Sequence, residues 1–340
     1  MYSERKVHEV DCEITSFCNL TCVLCERYHR VVKSKEKIPI KHWTVDDINW
    51  LAKEGIVNEV YWALSGGVSD PMGNPNFIDI VDALLSHNAK MVYISTNATL
   101  GTEETWKNIA MLTNKLGGTK IRFVVAIDGS HQDVNEKYRI GSNYEIIERN
   151  LNIFKQYKGR GGWQFIQFGH NIEDVMYTKR KAQEYGFHFY IHNTRKINDV
   201  LKVTEEVKQH ISQDTYNETH SKLKQAIAPK QTTKQTKHIE KQIKERLNNP
   251  KGFDCMHVNE RKTIAITYNF EMWPCCYHYR LNREDDMKEF FNNYSNDWNN
   301  IKKHGVAKVF EHPYFTEHIP AVLRKEEYIR TCFHKCGKNV

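Results

Sequence analysis

The 340-residue sequence lacks any apolar run approaching the roughly 18 residues that a membrane helix needs. Its first residues, Met1-Tyr2-Ser3-Glu4-Arg5-Lys6, carry no apolar core of the kind an export signal has. Between Cys25 and Cys255 there is no cysteine; all nine fall in two groups, at 12–25 and 255–336. Thiols so segregated, in a chain without an export signal, argue against a disulfide framework and for metal or redox chemistry. These absences predict a soluble, cytoplasmic protein. Charge excludes little: the net value is +7. A solvated lysine-rich surface explains that balance better than a polyanionic partner does, so neither a membrane nor a nucleic acid is expected as partner.

The first cysteine group is dense. Cys18-Asn19-Leu20-Thr21-Cys22-Val23-Leu24-Cys25 holds three cysteines with three and then two residues between them. Three thiolates on one tight loop can converge on one face of a metal cluster, and a set of three leaves one coordination position for something else. A closed zinc site would need a fourth ligand, which His29 is placed to supply. Upstream, Val10-Asp11-Cys12-Glu13-Ile14-Thr15 alternates as a half-buried strand does, with Cys12 a core thiol, so the loop leaves the carboxyl end of the first strand.

Downstream the chain alternates strands and helices. Strands are expected at 59–64, 91–97, 121–129, 163–168 and 187–191, and helices from Thr44 and over 76–87, 103–113, 144–157 and 173–185. Six βα repeats predict an α/β fold with parallel strands that close into a partial barrel of the TIM type, with ligands gathered at the strands' carboxyl ends. The division expected is a barrel over 1–195, a polar helical linker or insertion over 196–250, and a small α+β domain over 251–340. The linker is rich in Lys, Gln and Thr around Pro229–Lys237, with one modest helix marked by Ile239, Ile243 and Leu247.

The C-x3-C-x2-C loop after a first strand resembles the signature of radical S-adenosylmethionine (SAM) enzymes. The resemblance covers roughly residues 8–192. It implies that Cys18, Cys22 and Cys25 bind three irons of a 4Fe-4S cluster whose fourth iron is chelated by SAM. It also implies cleavage of SAM by one electron to methionine and a 5′-deoxyadenosyl radical, the cofactor supplying chemistry that no side chain can. Several strand exits are similar to the family's SAM-binding positions. Ser65-Gly66-Gly67-Val68-Ser69-Asp70-Pro71 resembles a Gly-Gly-Glu-Pro loop with one residue added and Asp70 for glutamate; it implies Ser65, Gly66, Gly67 and Asp70 as contacts of the methionine amino group. Thr96-Asn97 resembles Thr-Asn-Gly, with Ala98 for glycine. Ala126-Ile127-Asp128-Gly129 resembles Ser-Ile-Asp-Gly, with Asp128 kept. Glu136-Lys137-Tyr138-Arg139 offers Arg139 to the SAM carboxylate, or to the surface. Asn171, after the fifth strand, serves either a ribose or adenine edge or the cap of the next helix.

The second group resembles the SPASM and twitch domains appended to such barrels. Cys255 precedes the strand-like Thr263–Thr267, a turn follows near Asn269-Phe270, then Trp273-Pro274-Cys275-Cys276, and Cys332 and Cys336 close the chain. Cys255, Cys275, Cys332 and Cys336 are the implied ligands of one auxiliary 4Fe-4S cluster. Cys276 rivals Cys275, because neighbours on a strand face opposite ways. A four-cysteine zinc site has the same spacing. The function expected is hydrogen abstraction from a substrate, a peptide or protein rather than a small molecule, with an electron donor such as flavodoxin or ferredoxin. Two alternatives are dehydrogenation of a sugar-like alcohol and a zinc-stabilised binding protein without catalysis.

Overall fold

The computed structural model describes residues 6–193, 255, 257–258, 262–278, 294–324, 326, 329 and 332. The expected linker at 196–250 and Cys336 lie outside them. The α/β class read from the sequence holds, with six strands alternating with helices and a further C-terminal region.

The chain forms two compact units that interleave along the sequence: Met1–Cys12, Asp46–Ala63 and Gln231–Val340 make one, and Glu13–Val45 with Leu64–Lys230 make the other. In the second unit, β3 (Met91–Thr96), β4 (Ile121–Ala126), β5 (Gly162–Gln167) and β6 (His188–Asn193) lie in the order β6-β5-β4-β3, every pair parallel. Parallel neighbours need crossovers, and amphipathic helices supply them. These are α2 (Phe77–Ser86) before β3, α3 (Glu103–Leu116), the short α4 (Gln132–Asn135) with α5 (Tyr144–Gln156), and α6 (Val175–Glu184). Their buried residues recur at helical spacing, as in Phe77, Ile80, Val81 and Leu84 of α2. The α3 helix runs a turn beyond the Glu103–Thr113 expected. Thr102 caps it, accepting from the Thr105 amide at 3.1 Å, and it ends only at Gly117.

In the first unit, β1 (Glu9–Cys12), β2 (Tyr61–Leu64, whose last residue falls to the other unit), β7 (Thr263–Ile266) and β8 (Met272–Trp273) take the order β2-β1-β7-β8. The expected C-terminal hairpin is present as the antiparallel pair β7–β8. Its β7 also pairs parallel with β1, Glu9 opposite Thr263 and Cys12 opposite Ile266, and all four β7 residues are buried. That union was not legible in either strand alone. The first strand stops at Cys12 rather than running to Thr15. Cys12 is buried, as expected of a core thiol.

Candidate active site

The cysteine loop follows β1 and belongs to the second unit, as do all the strand exits that surround it. Its turn closes with the Cys25 amide donating to the Cys22 carbonyl at 2.9 Å. The Thr21 amide donates to the Ile140 carbonyl at 3.1 Å, and Val23 packs against Tyr138 and Phe168. The loop is thus pinned to the segments after β4 and β5. As residues all three cysteines are half-buried.

The exit of β3 reaches Cys18. Asn97 Nδ2 lies 3.6 Å from Cys18 Sγ and 3.2 Å from Asn19 Oδ1, while the Leu20 amide lies 3.4 Å from the same sulfur. Ala98, the residue in place of the expected glycine, has a φ of +64° and is fully buried. The backbone therefore keeps the left-handed turn that glycine adopts freely, with an alanine bearing the strain.

The glycine loop meets Cys25, whose Sγ lies 3.5 Å from the Gly67 carbonyl. What shapes this loop is a residue that the sequence reading passed over. Glu13, one residue past β1, is buried, and its Oε1 accepts from the Gly67 amide at 2.7 Å and the Val68 amide at 2.9 Å. Arg27 Nη1 donates to the Ser16 and Val68 carbonyls, both at 3.0 Å. Neither role leaves a local signal, since the partners lie 11 to 55 residues away in sequence. Gly66 has φ +48°, and a β-carbon there would sit 2.5 Å from the Ser69 carbonyl oxygen.

Asp70 does not face a ligand position in the manner of a free carboxylate. It is buried, and it accepts from the Met72 amide at 3.0 Å, from Thr96 Oγ1 at 3.0 Å and from the Asn97 amide at 2.7 Å. Asp70 thereby ties the end of the glycine loop to the β3 exit and orients Thr96 and Asn97. Burial pushes its carboxyl up to about 6, against the pull of those three donors.

Asp128 and Arg139 meet as a buried ion pair, Arg139 Nε to Asp128 Oδ2 at 2.7 Å. Asp128 Oδ1 also accepts from the Ile166 amide at 2.6 Å, tying the β4 exit to β5. Burial raises the Asp128 carboxyl, and the guanidinium beside it counters that. Burial opposes the Arg139 charge, but Asp128 and then Cys22 hold it more firmly protonated than usual. The rest of the Arg139 guanidinium has no other hydrogen-bond acceptor among the described residues. Asn171 is spent within the chain: its amide donates to the Asp128 and Ile166 carbonyls, both at 2.9 Å, and its oxygen accepts from the Phe168 amide at 2.7 Å. Its side chain does not cap α6, the helix that follows; it holds the β5 exit closed instead.

The donor set fits an iron–sulfur cluster. Burial, with Asp70 next, pushes the Cys18 thiol up to about 12; burial raises Cys22 further, with Arg139 opposing. Left alone these thiols stay protonated, so a strongly cationic group is what makes them thiolates. Among the described residues no three His, Cys, Asp or Glu side chains are drawn close enough to hold a single metal ion.

In the first unit Cys255, Cys275 and Cys332 are buried and line one small apolar cavity with His278, Pro274, Ile319 and Val322. Cys276 is part-exposed and does not line it. The geometry thus separates the two adjacent cysteines. His278, whose Nε2 lies against Cys332 Sγ, leaves no signal in the sequence.

A sequence model described as the Radical SAM superfamily matches residues 12–182. Streptococcus suis SuiB bound to S-adenosylmethionine is a structural neighbour at TM-score 0.57 and 12% identity, covering 98% of this chain and 71% of that one. SuiB bound to precursor peptide SuiA gives 0.55 and 13%, covering 93% and 68%. The protein anSMEcpe, with bound AdoMet and Cp18Cys peptide, gives 0.52 and 16%, covering 98% and 88%. At these identities the likeness is one of fold. None of the curated proteins matches the chain in sequence.

Proposed function

Because the chain belongs to the Radical SAM superfamily, and is one of its enzymes, we propose that it abstracts hydrogen from a peptide or protein substrate using SAM bound at a 4Fe-4S cluster on Cys18, Cys22 and Cys25. The observation that carries the site is the meeting of the cysteine loop with three strand exits, at Cys18–Asn97, Cys25–Gly67 and the Cys22 surroundings of Arg139. When bound, the cluster and SAM together supply one-electron cleavage of the sulfonium and a 5′-deoxyadenosyl radical able to take a hydrogen atom from carbon.

This chain's residues bind and orient. Cys18, Cys22 and Cys25 would hold the cluster as thiolates, a set of three that would leave one position for SAM. Glu13 fixes the loop that presents the Ser65, Gly66 and Gly67 backbone to the methionine amino group. Asp70 acts one step behind, by setting Thr96 and Asn97. Arg139, held by Asp128 through Nε, offers its other guanidinium hydrogens to the SAM carboxylate.

Cys255, Cys275, Cys332 and Cys336 are the proposed ligands of an auxiliary 4Fe-4S cluster of the SPASM or twitch kind, with a flavodoxin or ferredoxin as electron donor. Burial of three of those thiols around one cavity supports this reading. Clusters of this kind call for a reducing compartment, in keeping with a cytoplasmic site; among the described residues no helix is long and apolar enough to cross a membrane. The peptide reading is supported by SuiB and anSMEcpe, whose structures hold peptides. Anaerobic loading should give about eight irons and eight sulfides per chain, and reductant with SAM should yield 5′-deoxyadenosine. Deuterated peptide pools should pass label into that product. Label arriving only from deuterated sugar-like alcohols would overturn the peptide assignment, and a colourless protein would remove the chemistry.

A further inference from the structure

His278 sits between a tyrosine and a cysteine. Its Nε2 lies 3.2 Å from Cys332 Sγ, and its Nδ1 lies 2.5 Å from the Tyr314 hydroxyl. The imidazole and Tyr314 are both buried, so water does not compete for either bond. Tyr314 is itself held edge-on by Trp273, at 6.1 Å and 89°, and lies against Trp298 at 5.1 Å. All these groups belong to the same compact unit as the Cys255–Cys275–Cys332 cavity.

We propose that His278 is a positioning residue that donates Nε2–H to the Cys332 thiolate, is oriented by Tyr314, and raises the reduction potential of the auxiliary cluster. The proposal rests on the auxiliary-cluster reading above. The direction of each bond follows from the chemistry of the partners. A ligating thiolate can only accept, so the hydrogen between the two atoms belongs to Nε2. A neutral imidazole protonated at Nε2 has a bare Nδ1, which must accept, and the Tyr314 O–H is the donor beside it. Hydrogen bonds donated to a cluster's sulfur withdraw electron density and favour the reduced state. The acceptor-only thiolate thus sets the tautomer, and the Tyr314 hydroxyl, able to donate or accept, supplies the donor that this tautomer needs at Nδ1.

The test uses the full-length, anaerobically loaded protein. His278→Phe keeps ring volume and removes both nitrogens; Tyr314→Phe removes one hydroxyl and nothing else. Both variants should retain about eight irons per chain. In a redox titration followed by electron paramagnetic resonance, one of the two clusters should move to a more negative midpoint in His278→Phe. It should move by a smaller amount in the same direction in Tyr314→Phe, and the other cluster should stay where it is. An unmoved midpoint with full iron in either variant overturns the proposal. So does loss of half the iron in His278→Phe, which would make the imidazole a ligand rather than a donor. Only about four irons in the unaltered protein would sink the auxiliary-cluster reading itself, and this is seen before any variant is made.

Discussion

Asp128 and Arg139 form a buried ion pair to which both stability and the proposed SAM binding are assigned. With both charges buried, removing one strands the other. Asp128→Asn should cost roughly 3–5 kcal/mol in a urea melt. The apolar pair Asp128→Leu with Arg139→Met should recover much of that stability while SAM binding stays lost. Recovery of binding as well would make the pair structural alone. Asp70 predicts a pH effect of definite sign. Its folded carboxyl titrates near 6 rather than 3.8, so the native state holds the proton more tightly than the unfolded chain. Stability from this group is therefore full below about 4 and falls as pH rises to about 6, by up to about 3 kcal/mol. Asp70→Asn should flatten that slope in melts taken across the window.

At the level of loops and strands, two turns carry opposite errands in backbone strain. Gly66 uses a left-handed φ that its neighbour Ser69 leaves no room to decorate. Gly66→Ala should weaken SAM binding at least tenfold by equilibrium dialysis, since the loop must shift to admit the methyl group. Ala98 sits at φ +64° with a side chain it does not need there. Ala98→Gly should leave the fold intact and raise its stability by up to about 1 kcal/mol, read from the melting curve. The turn between β7 and β8 repeats the pattern, with Phe270 at φ +64°. These positions explain what could be read from the chain in advance. Strand and helix periods are local, so the α/β rhythm from β1 to β6 was visible, and so was the cysteine loop. Glu13, Arg27 and His278 were not, because each acquires its meaning from a partner 11 to 55 residues away: Ser16, Gly67 and Val68 for the first two, and 54 for Cys332. Asp70 and Asn171 were picked out from the sequence, but their partners were not: the Met72 and Asn97 amides and Thr96 Oγ1 for the first, three backbone groups for the second.

Across the whole molecule Cys18, Cys22 and Cys25 belong to one compact unit and Cys255, Cys275 and Cys332 to the other, so their losses should separate. Cys18→Ala, Cys22→Ala or Cys25→Ala should abolish 5′-deoxyadenosine formation. Cys332→Ala should lower iron from about eight to about four per chain and leave uncoupled SAM cleavage in place. Iron analysis beside product chromatography checks both, and the reverse pattern would invert the assignment. The interleaving has one more effect, on the order of events during synthesis. Glu9 pairs with Thr263, so this flank of β1 emerges from the ribosome long before its neighbour exists. At 5–20 residues per second the wait is roughly 13–50 s, during which an unsatisfied strand edge is open to any passing chain. Nascent protein should accordingly lean on chaperones until its last quarter has been translated.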